Sequence, residues 1–274
     1  MKFDYPELTL IKSFSSGSAQ PQIPIKDLKF IKVSLPPLAT QKKIAAVLSA
    51  YDELIEKNNR KIEILEKMAE EIYREWFVRM RFPGYENTKF HKGIPDGWEE
   101  KKLGEIVDRL NFGRIYRESE LQHEGSVVVI DQSTKNYLGF YNGKPEHVAT
   151  LEEPIIIFGD HSCKMQIMIK PFSLAENVIP FKSLNKVNLY FLFFTIYKII
   201  ETQEYKRHWT EFCNKKILLP QVEFQKKFSN EIKNNLDLKE KLLIKNQNLT
   251  KTRDLLLPRL ISGKLNVEDL EIDS

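Results

Sequence analysis

Four clusters of polar side chains could hydrogen-bond to nucleic-acid bases or pair with phosphates. Guanidinium and amide groups match the donor and acceptor patterns of base edges, and lysine and arginine neutralise phosphates. The candidate residues in chain order are Arg114, Tyr116, Arg117, Gln132, Ser133, Lys135, Asn136, Tyr137, His161, Lys164, Lys206, Arg207, His208 and Trp209. These residue types permit a nucleic-acid ligand without requiring one.

The four clusters differ in how well a structural role would explain them. The cluster at residues 132–137 follows the apolar run Ser126–Ile130, and we expect it to be the base-reading loop. Residues 114–117 follow Gly113 and could equally be a solvated loop. In the third cluster, His161 could tie a glycine turn to the core, and we expect Asp160 beside it to be structural. In the fourth, Lys206 and Arg207 could bind phosphates, whereas Trp209 could belong to the core.

Motifs for nucleotide hydrolysis and methyl transfer are absent from the sequence. It contains no GxxxxGK[ST] loop and no GxGxxG loop. Leu35-Pro36-Pro37-Leu38 lacks the amide and the aromatic residue of an adenine methyltransferase motif. Asp96, Glu99 and Lys101 are residue types of a metal-dependent nuclease, but they lie almost adjacent, so we expect a non-catalytic chain.

Charge and cysteine content narrow the class of protein further. The 42 basic and 38 acidic residues give a formal charge of +4, which permits a nucleic-acid partner without requiring one. We predict neither a metal nor a cofactor, because no pair of potential ligands stands at metal-binding spacing among His123, His147, His161, His208, Cys163 and Cys213. Without a signal pattern or a spanning apolar run, we expect a cytoplasmic protein that does not contact membranes.

A sequence repeat organises the chain. "LPPLATQKKI", which begins at Leu35, returns as "LPQVEFQKKF" 184 residues later at Leu219. The same offset keeps two apolar patterns in phase beyond these segments, which indicates a duplicated unit. Each copy begins with Leu-Pro and continues in a long helical pattern.

The two helical patterns are too long for one small domain to cover. The first, from Ala39 to Val78, would be about 60 Å long at about 1.5 Å per residue, and the second runs from about Val222 to Leu257. We therefore predict that they pair as an antiparallel coiled coil. Asn58 falls on the seam and could fix its register or mark a partly wetted gap. The expected pairing residues are Ile44, Leu48, Leu54, Leu65, Ile72, Phe228, Ile232, Leu238, Leu249 and Leu256.

The segment between the helices has the pattern of a globular domain. Short β-branched runs at 126–130, 154–158, 166–170 and 177–181 predict strands, and residues 185–206 predict one buried helix. The predicted fold class is therefore α+β, with one strand-rich domain flanked by two long helices. The expected boundaries are 1–36, 37–82, 83–219 and 220–274.

The ordered motifs resemble the specificity subunits of type I restriction-modification enzymes. "IPDGWEEKKLGEIV" from Ile94 is similar to the opening of a target recognition domain in that family, and "IIIFGDHSCKM" from Ile155 to its middle. "LLPQVEFQKKF" from Leu218 and "RDLLLPRLISGKL" from Arg253 resemble its exit and the far end of its second helix. The resemblance implies that residues 1–36 are the remnant of a first recognition domain.

The resemblance also implies a mechanism and partners. A recognition domain would read half of a split site in double-stranded DNA, while the helices set the spacing and dock methyltransferase subunits. Methylation with S-adenosylmethionine, and cleavage with ATP and Mg, would belong to methyltransferase and restriction subunits. Two copies could form a homodimer around a twofold axis and so restore two readers. The alternatives are a truncated assembly partner that does not read DNA, and a small nuclease or methyltransferase.

Overall fold

The chain divides into two compact units that share both long helices. The structure, a computed structural model, describes residues 35–133, 137–200 and 206–268. The smaller unit comprises residues 1–58 and 244–274, and the larger unit comprises residues 59–243. The predicted remnant at 1–36 lies almost wholly outside the described residues, and the four predicted boundaries remain predictions.

The described residues form four α-helices, of which the first and the last match the two long helical patterns of the sequence. The helices are α1 (Leu38–Tyr73), α2 (Leu189–Ile196), α3 (Trp209–Asn214) and α4 (Val222–Ile261). The predicted end of the first helix at Val78 is formed by a π-helical turn, Arg74–Val78. α4 continues past the predicted end at Leu257 and contains Pro258.

The two copies of the sequence repeat begin with the same hydrogen bond. The Gln41 side chain donates to the Pro36 carbonyl at 2.8 Å, and the Gln225 side chain donates to the Pro220 carbonyl at 2.7 Å. The carbonyls of Pro37 and Gln221 accept the first helical amides, so those of Pro36 and Pro220 lie outside the helical ladder and take an amide side chain from the first turn instead. The duplicated Pro and Gln therefore have a duplicated structural role.

Contacts within the smaller unit show an antiparallel helix pair. Asp52 of α1 forms an ion pair with Arg253 of α4, and Asn58 donates to Asn246 at 2.7 Å. Nearer the start of α1, Ile44 packs in one buried cluster with Leu260. Residue numbers thus rise along one helix as they fall along the other.

The larger unit contains the same antiparallel arrangement. Glu66 pairs with Lys239 at 2.6 Å, and the rings of Tyr73 and Phe228 lie 6.0 Å apart. Phe228 and Ile232 are fully buried, as predicted for the seam. The predicted α+β class with an antiparallel helix pair is confirmed.

The positions predicted for two leucines in the seam between the long helices are wrong. Leu54 is 43% exposed and Leu238 is 47% exposed. The seam of α1 follows steps of about 3.5 residues through Tyr51, Ile55, Asn58 and Ile62, which leaves Leu54 on the outer side. Ile44 is buried, whereas the remaining predicted seam residues are half-buried, namely Leu48, Leu65, Ile72, Leu249 and Leu256.

Eleven strands in the described residues form the sheets of the larger unit. The strands are β1 (Phe90–His91), β2 (Ile94–Pro95), β3 (Glu99–Lys102), β4 (Val107–Arg109), β5 (Val127–Ile130), β6 (Gly139–Tyr141), β7 (Ile155–Gly159), β8 (Met165–Met168), β9 (Phe172–Leu174), β10 (Val178–Ser183) and β11 (Lys216–Leu219). A four-stranded sheet has the order β4-β10-β7-β8, a three-stranded sheet has the order β6-β5-β9, and β1-β2 and β11-β3 form ribbons. β5, β7, β8 and β10 are the four strands that the sequence predicts.

The opening and the exit of the domain meet in the β3–β11 ribbon. Gly97 has a φ of +78°, and a Cβ there would lie 2.2 Å from the Gln221 side-chain nitrogen. Trp98 packs beside Phe77 and Phe82 with ring centroids 5.9 and 5.3 Å away. The Asp-Gly-Trp turn therefore brings the start of the domain against the beginning of α4.

The predicted buried helix at residues 185–206 is wrong in length. Among the described residues of this segment, only Leu189–Ile196 is α-helical, and the Asn188 side chain accepts from the amides of Tyr190 and Phe191 at its start. Lys198 has a φ of +61°, which an α-helix does not allow. Residues 201–205 lie outside the described residues.

Replacing Asn58 with Leu should lower the free energy of unfolding by ~1–3 kcal/mol, because the buried Asn246 amide loses this partner. The Asn58→Leu/Asn246→Leu double variant should recover most of the loss, because both polar groups are removed. Urea denaturation followed by circular dichroism measures both changes. The exposed Asn248→Leu variant is the control, and an additive loss in the double variant would contradict the pairing.

Candidate nucleic-acid interface

The first candidate cluster contains one core residue and two exposed arginines. Tyr116 is only 7% exposed and stacks on Tyr141 at a centroid distance of 4.3 Å, so its predicted DNA contact is wrong. Burial, with a smaller contribution from Tyr141, raises the pKa of Tyr116 to about 12. Arg114 stacks over the Tyr116 ring and pairs with Glu120, and Arg117 is exposed on the same loop.

The second and third clusters are joined into one surface. The His161 amide donates to the Gln132 side-chain oxygen at 3.1 Å, and the Lys164 ammonium donates to the Asp131 carbonyl at 3.1 Å. Burial lowers the pKa of Lys164, although Asp131 partly offsets this shift. The end of β5 is thereby held against the turn that follows β7.

The remaining residues of the predicted base-reading loop divide into two groups. The Ser133 hydroxyl donates to the Asp131 carboxylate at 2.8 Å. Tyr137 is 39% exposed and lies 4.8 Å from the Phe140 ring. Lys135 and Asn136 lie outside the described residues, so their role as base readers remains a prediction.

The Phe-Gly-Asp-His turn after β7 is organised by Asp160. Its buried carboxylate accepts from the amides of His208 and Trp209 at 3.1 and 3.0 Å. These amides begin α3 and lack partners within that helix, so the carboxylate acts as an N-terminal cap. The structural role predicted for Asp160 matches this geometry.

The fourth cluster is half structural and half exposed. His208 is 2% exposed, and Trp209 packs between the rings of Phe158, Phe181 and Phe212. Burial of the His208 side chain is against the DNA contact predicted for it, whereas Trp209 is half-buried and its contact stays a prediction. The Arg207 side chain is 80% exposed, and Lys206 beside it is also exposed.

A cleft of about 330 Å³ connects Arg207 with residues that the sequence analysis missed. It is lined by Arg109, Phe112, Ile115, Asp160, Glu176, Asn177, Ile179 and Arg207. Glu176 and Asn177 lie between the apolar strands β9 and β10, where polar side chains often mark a loop surface, and Arg109 ends the short strand β4. That weak signal could have suggested them, but only the pairing of β4 with β10 brings them together.

His147 supports the floor of this cleft. Its ring Nε2 donates to the Phe112 carbonyl at 3.2 Å, and its ring stacks on Phe172. Burial lowers the pKa of His147 below the usual histidine value, with the hydrogen bond opposing the shift. Burial therefore disfavours the charged imidazole, and the ring holds Phe112 through this hydrogen bond.

The residues of the alternative nuclease site do not form a catalytic centre. Glu99 pairs with Lys101 at 3.0 Å across an exposed strand, and the Asp96 carbonyl accepts from Gln221 at 3.3 Å. Among the described residues, no group of three or more His, Cys, Asp and Glu side chains could hold a metal ion. Across that same part of the chain, no helix is long and apolar enough to cross a membrane.

Comparison with known proteins places these features in a family. The model of the type I restriction modification DNA specificity domain matches residues 4–67. The MjaIX specificity subunit of a type I restriction enzyme from Methanocaldococcus jannaschii is 31% identical, with 95% of this chain and 66% of that protein aligned. The chain belongs to the type I restriction specificity-subunit family.

A second relative and a solved structure agree with this membership. The MjaVIII specificity subunit from the same organism is 29% identical, with 96% of this chain and 68% of that protein aligned. The chain therefore spans about two thirds of the length of these relatives. The crystal structure of a type I system S subunit from M. genitalium has a TM-score of 0.57 at 18% identity, covering 93% of this chain and 70% of that one, which shows a shared fold.

Replacing Asp160 with Ala should destabilise the protein by ~0.5–2 kcal/mol, because the Trp209 amide loses its acceptor and the His208 amide keeps only the Asp160 backbone carbonyl. Asp160→Asn should cost less, since the amide oxygen can still accept. Thermal unfolding of both variants measures the difference. Equal losses would contradict a capping role and assign the effect to the charge that faces Arg207.

Proposed function

We propose that this chain is a non-catalytic, sequence-specific DNA-recognition subunit of a type I restriction-modification enzyme. The observation that carries the proposal is that hydrogen bonds hold the end of β5 and the Phe-Gly-Asp-His turn after β7 together in one surface, on a chain of the specificity family. The hydrogen bonds of Gln132 with His161 and of Asp131 with Lys164 fix the residues from which the loop at 132–137 begins. Rigid presentation of polar loops suits base reading, because mobile groups would lose entropy on binding.

The structure supports a narrower set of DNA contacts than the sequence predicted. Tyr116 and His208 are buried, so base reading falls to residues 132–137. Arg114, Arg117, Lys206 and Arg207 are exposed cations that suit phosphates. Phosphate contacts would position the domain while the loop reads the sequence.

The long helices offer two equivalent docking positions for methyltransferase subunits. Leu54 and Leu238 are exposed leucines separated by the 184-residue repeat, one in each compact unit. Equivalent positions suit two copies of the same partner. Methylation with S-adenosylmethionine would then belong to these subunits, and ATP- and Mg-dependent cleavage to restriction subunits.

The repeat also supports association of two copies of this chain. One described recognition domain reads one half-site, and two copies related by a twofold axis would read a palindromic split sequence. The competing role is an assembly partner that docks methyltransferases without reading DNA. Sequence preference of the bound DNA separates these two functions.

Replacing Asn136 with Ala should cost on the order of 1–3 kcal/mol on the preferred DNA and relax the choice at one base pair, as for a lost bidentate contact. Selection of bound duplexes from a random pool, using the full chain with its methyltransferase partner, measures this. Asn87→Ala, an exposed asparagine in a turn away from the loop, is the matched control. Loss of affinity that is uniform over all sequences would exclude base reading by Asn136, and a wild-type complex without sequence preference would favour the assembly role.

Replacing Leu54 or Leu238 with Glu should remove one of two bound methyltransferase subunits, and the double variant should bind neither. A charge on an exposed apolar contact disfavours docking but does little to the fold. Light scattering of the purified complexes gives the stoichiometry. Ile64→Glu is the control, because Ile64 is 57% exposed but corresponds to Asn248 in the repeat. Unchanged stoichiometry in the double variant would place docking elsewhere.

A further inference from the structure

The cleft beside β4 combines an apolar floor with two arginines. Phe112 and Ile115 are half-buried and Ile179 is buried, whereas Arg109 and Arg207 are exposed. The Arg109 guanidinium lies 4.6 Å from the centre of the Phe112 ring. This stacking restricts the arginine to one side of the floor, so the cation is positioned before any ligand arrives.

Backbone hydrogen bonds hold the cleft in shape. The Leu110 amide donates to the Pro180 carbonyl at 2.9 Å, and the Asp160 amide donates to the Asn177 carbonyl at 2.9 Å. Ile115 forms a bridge to Leu174 in β9. Both arginines therefore project from segments that are tied to the sheets.

The two carboxylates of the cleft, Asp160 and Glu176, differ in how far the protein compensates their negative charge. One oxygen of Asp160 accepts two backbone amides, and the other faces Arg207 with an Oδ2–Nε distance of 3.9 Å. The negative charge of Asp160 is thus largely compensated within the protein. Glu176 is exposed at the cleft, so its charge acts on an incoming ligand.

We propose that this cleft binds the sugar-phosphate backbone of one DNA strand, an inference that rests on the proposed DNA-binding function. Arg109 and Arg207 pair with phosphates, and the apolar floor of Phe112, Ile115 and Ile179 packs against deoxyribose. A recessed floor with exposed cations matches the alternation of sugars and phosphates along a strand. Base edges lie inside the grooves and are reached by projecting side chains, which a recess does not supply.

The role of Glu176 follows from the same geometry. Its carboxylate repels phosphates that enter the cleft, so Glu176→Gln should bind DNA of any sequence more tightly. A glutamate that reads a base would behave in the opposite way, since its removal would weaken binding to the preferred sequence. A gain of affinity also cannot result from misfolding.

The test measures the salt dependence of binding to a fluorescent duplex of random sequence, using the full chain in complex with its methyltransferase partner. Arg109→Gln and Arg207→Gln should each make the slope of log K against log salt less steep by about 0.9, because one phosphate contact is lost. The double variant should lose about twice as much. Arg81→Gln is the control, because Arg81 is an exposed arginine that pairs with Glu75 and does not line the cleft.

The outcomes separate this inference from the proposed function. Reduced slopes for both arginine variants, together with tighter binding by Glu176→Gln, support strand binding in the cleft. If the wild type binds DNA but these variants keep its slope and affinity, the cleft assignment is overturned and the recognition function stands. A changed preference at one base pair also overturns it in favour of base reading, and a wild-type chain that binds no duplex DNA overturns both.

Discussion

Aromatic packing at the root of the two long helices is the interaction on which the larger unit depends. Phe77 follows α1, Phe191 lies in α2, and Phe228 lies in α4, with the Phe77 ring 4.9 Å from Phe191 and 5.3 Å from Phe228. All three are buried. Edge-to-face contacts at these distances fix both position and orientation. The helix pair and the recognition domain therefore share one core, which a flexible linker could not provide.

The recognition surface shows how polar side chains are divided between structure and binding. Asp160, His208 and Gln132 are polar and lie in turns, yet each satisfies backbone groups within the protein or is enclosed by the core. Buried backbone amides must find partners, so the turns consume nearby polar side chains first. The Arg207 side chain, by contrast, stays 80% exposed beside the Asp160 carboxylate.

The helix pair departs from its own repeat at one buried polar layer. Asn58 corresponds to Leu242 one repeat later, and Asn246 corresponds to Ile62 one repeat earlier. Within the smaller unit the two asparagines satisfy each other, whereas the equivalent positions of the larger unit carry apolar residues. A buried amide pair tolerates little sliding, because displacement would leave both amides without this bond. This geometry favours a register role for Asn58 over a partly wetted gap.

The sequence by itself determined the long helices, four of the strands and the matching helix starts of the repeat, because these follow from local periodicity and proline placement. It predicted the antiparallel pairing only from the length of the two helices, and contacts such as Asp52–Arg253 and Glu66–Lys239 establish it. It could not determine the length of α2, which ends where Lys198 adopts a positive φ, or the outward position of Leu54, which depends on the seam of its partner helix. The sequence also could not tell which residues of the fourth cluster pack against the core. Trp209 and Arg207 are close in sequence, but the rings of Phe158, Phe181 and Phe212 enclose only Trp209. The cleft of Arg109 and Arg207 joins residues far apart in the chain, so only the pairing of β4 with β10 and the Asp160 cap decided which side chains meet there.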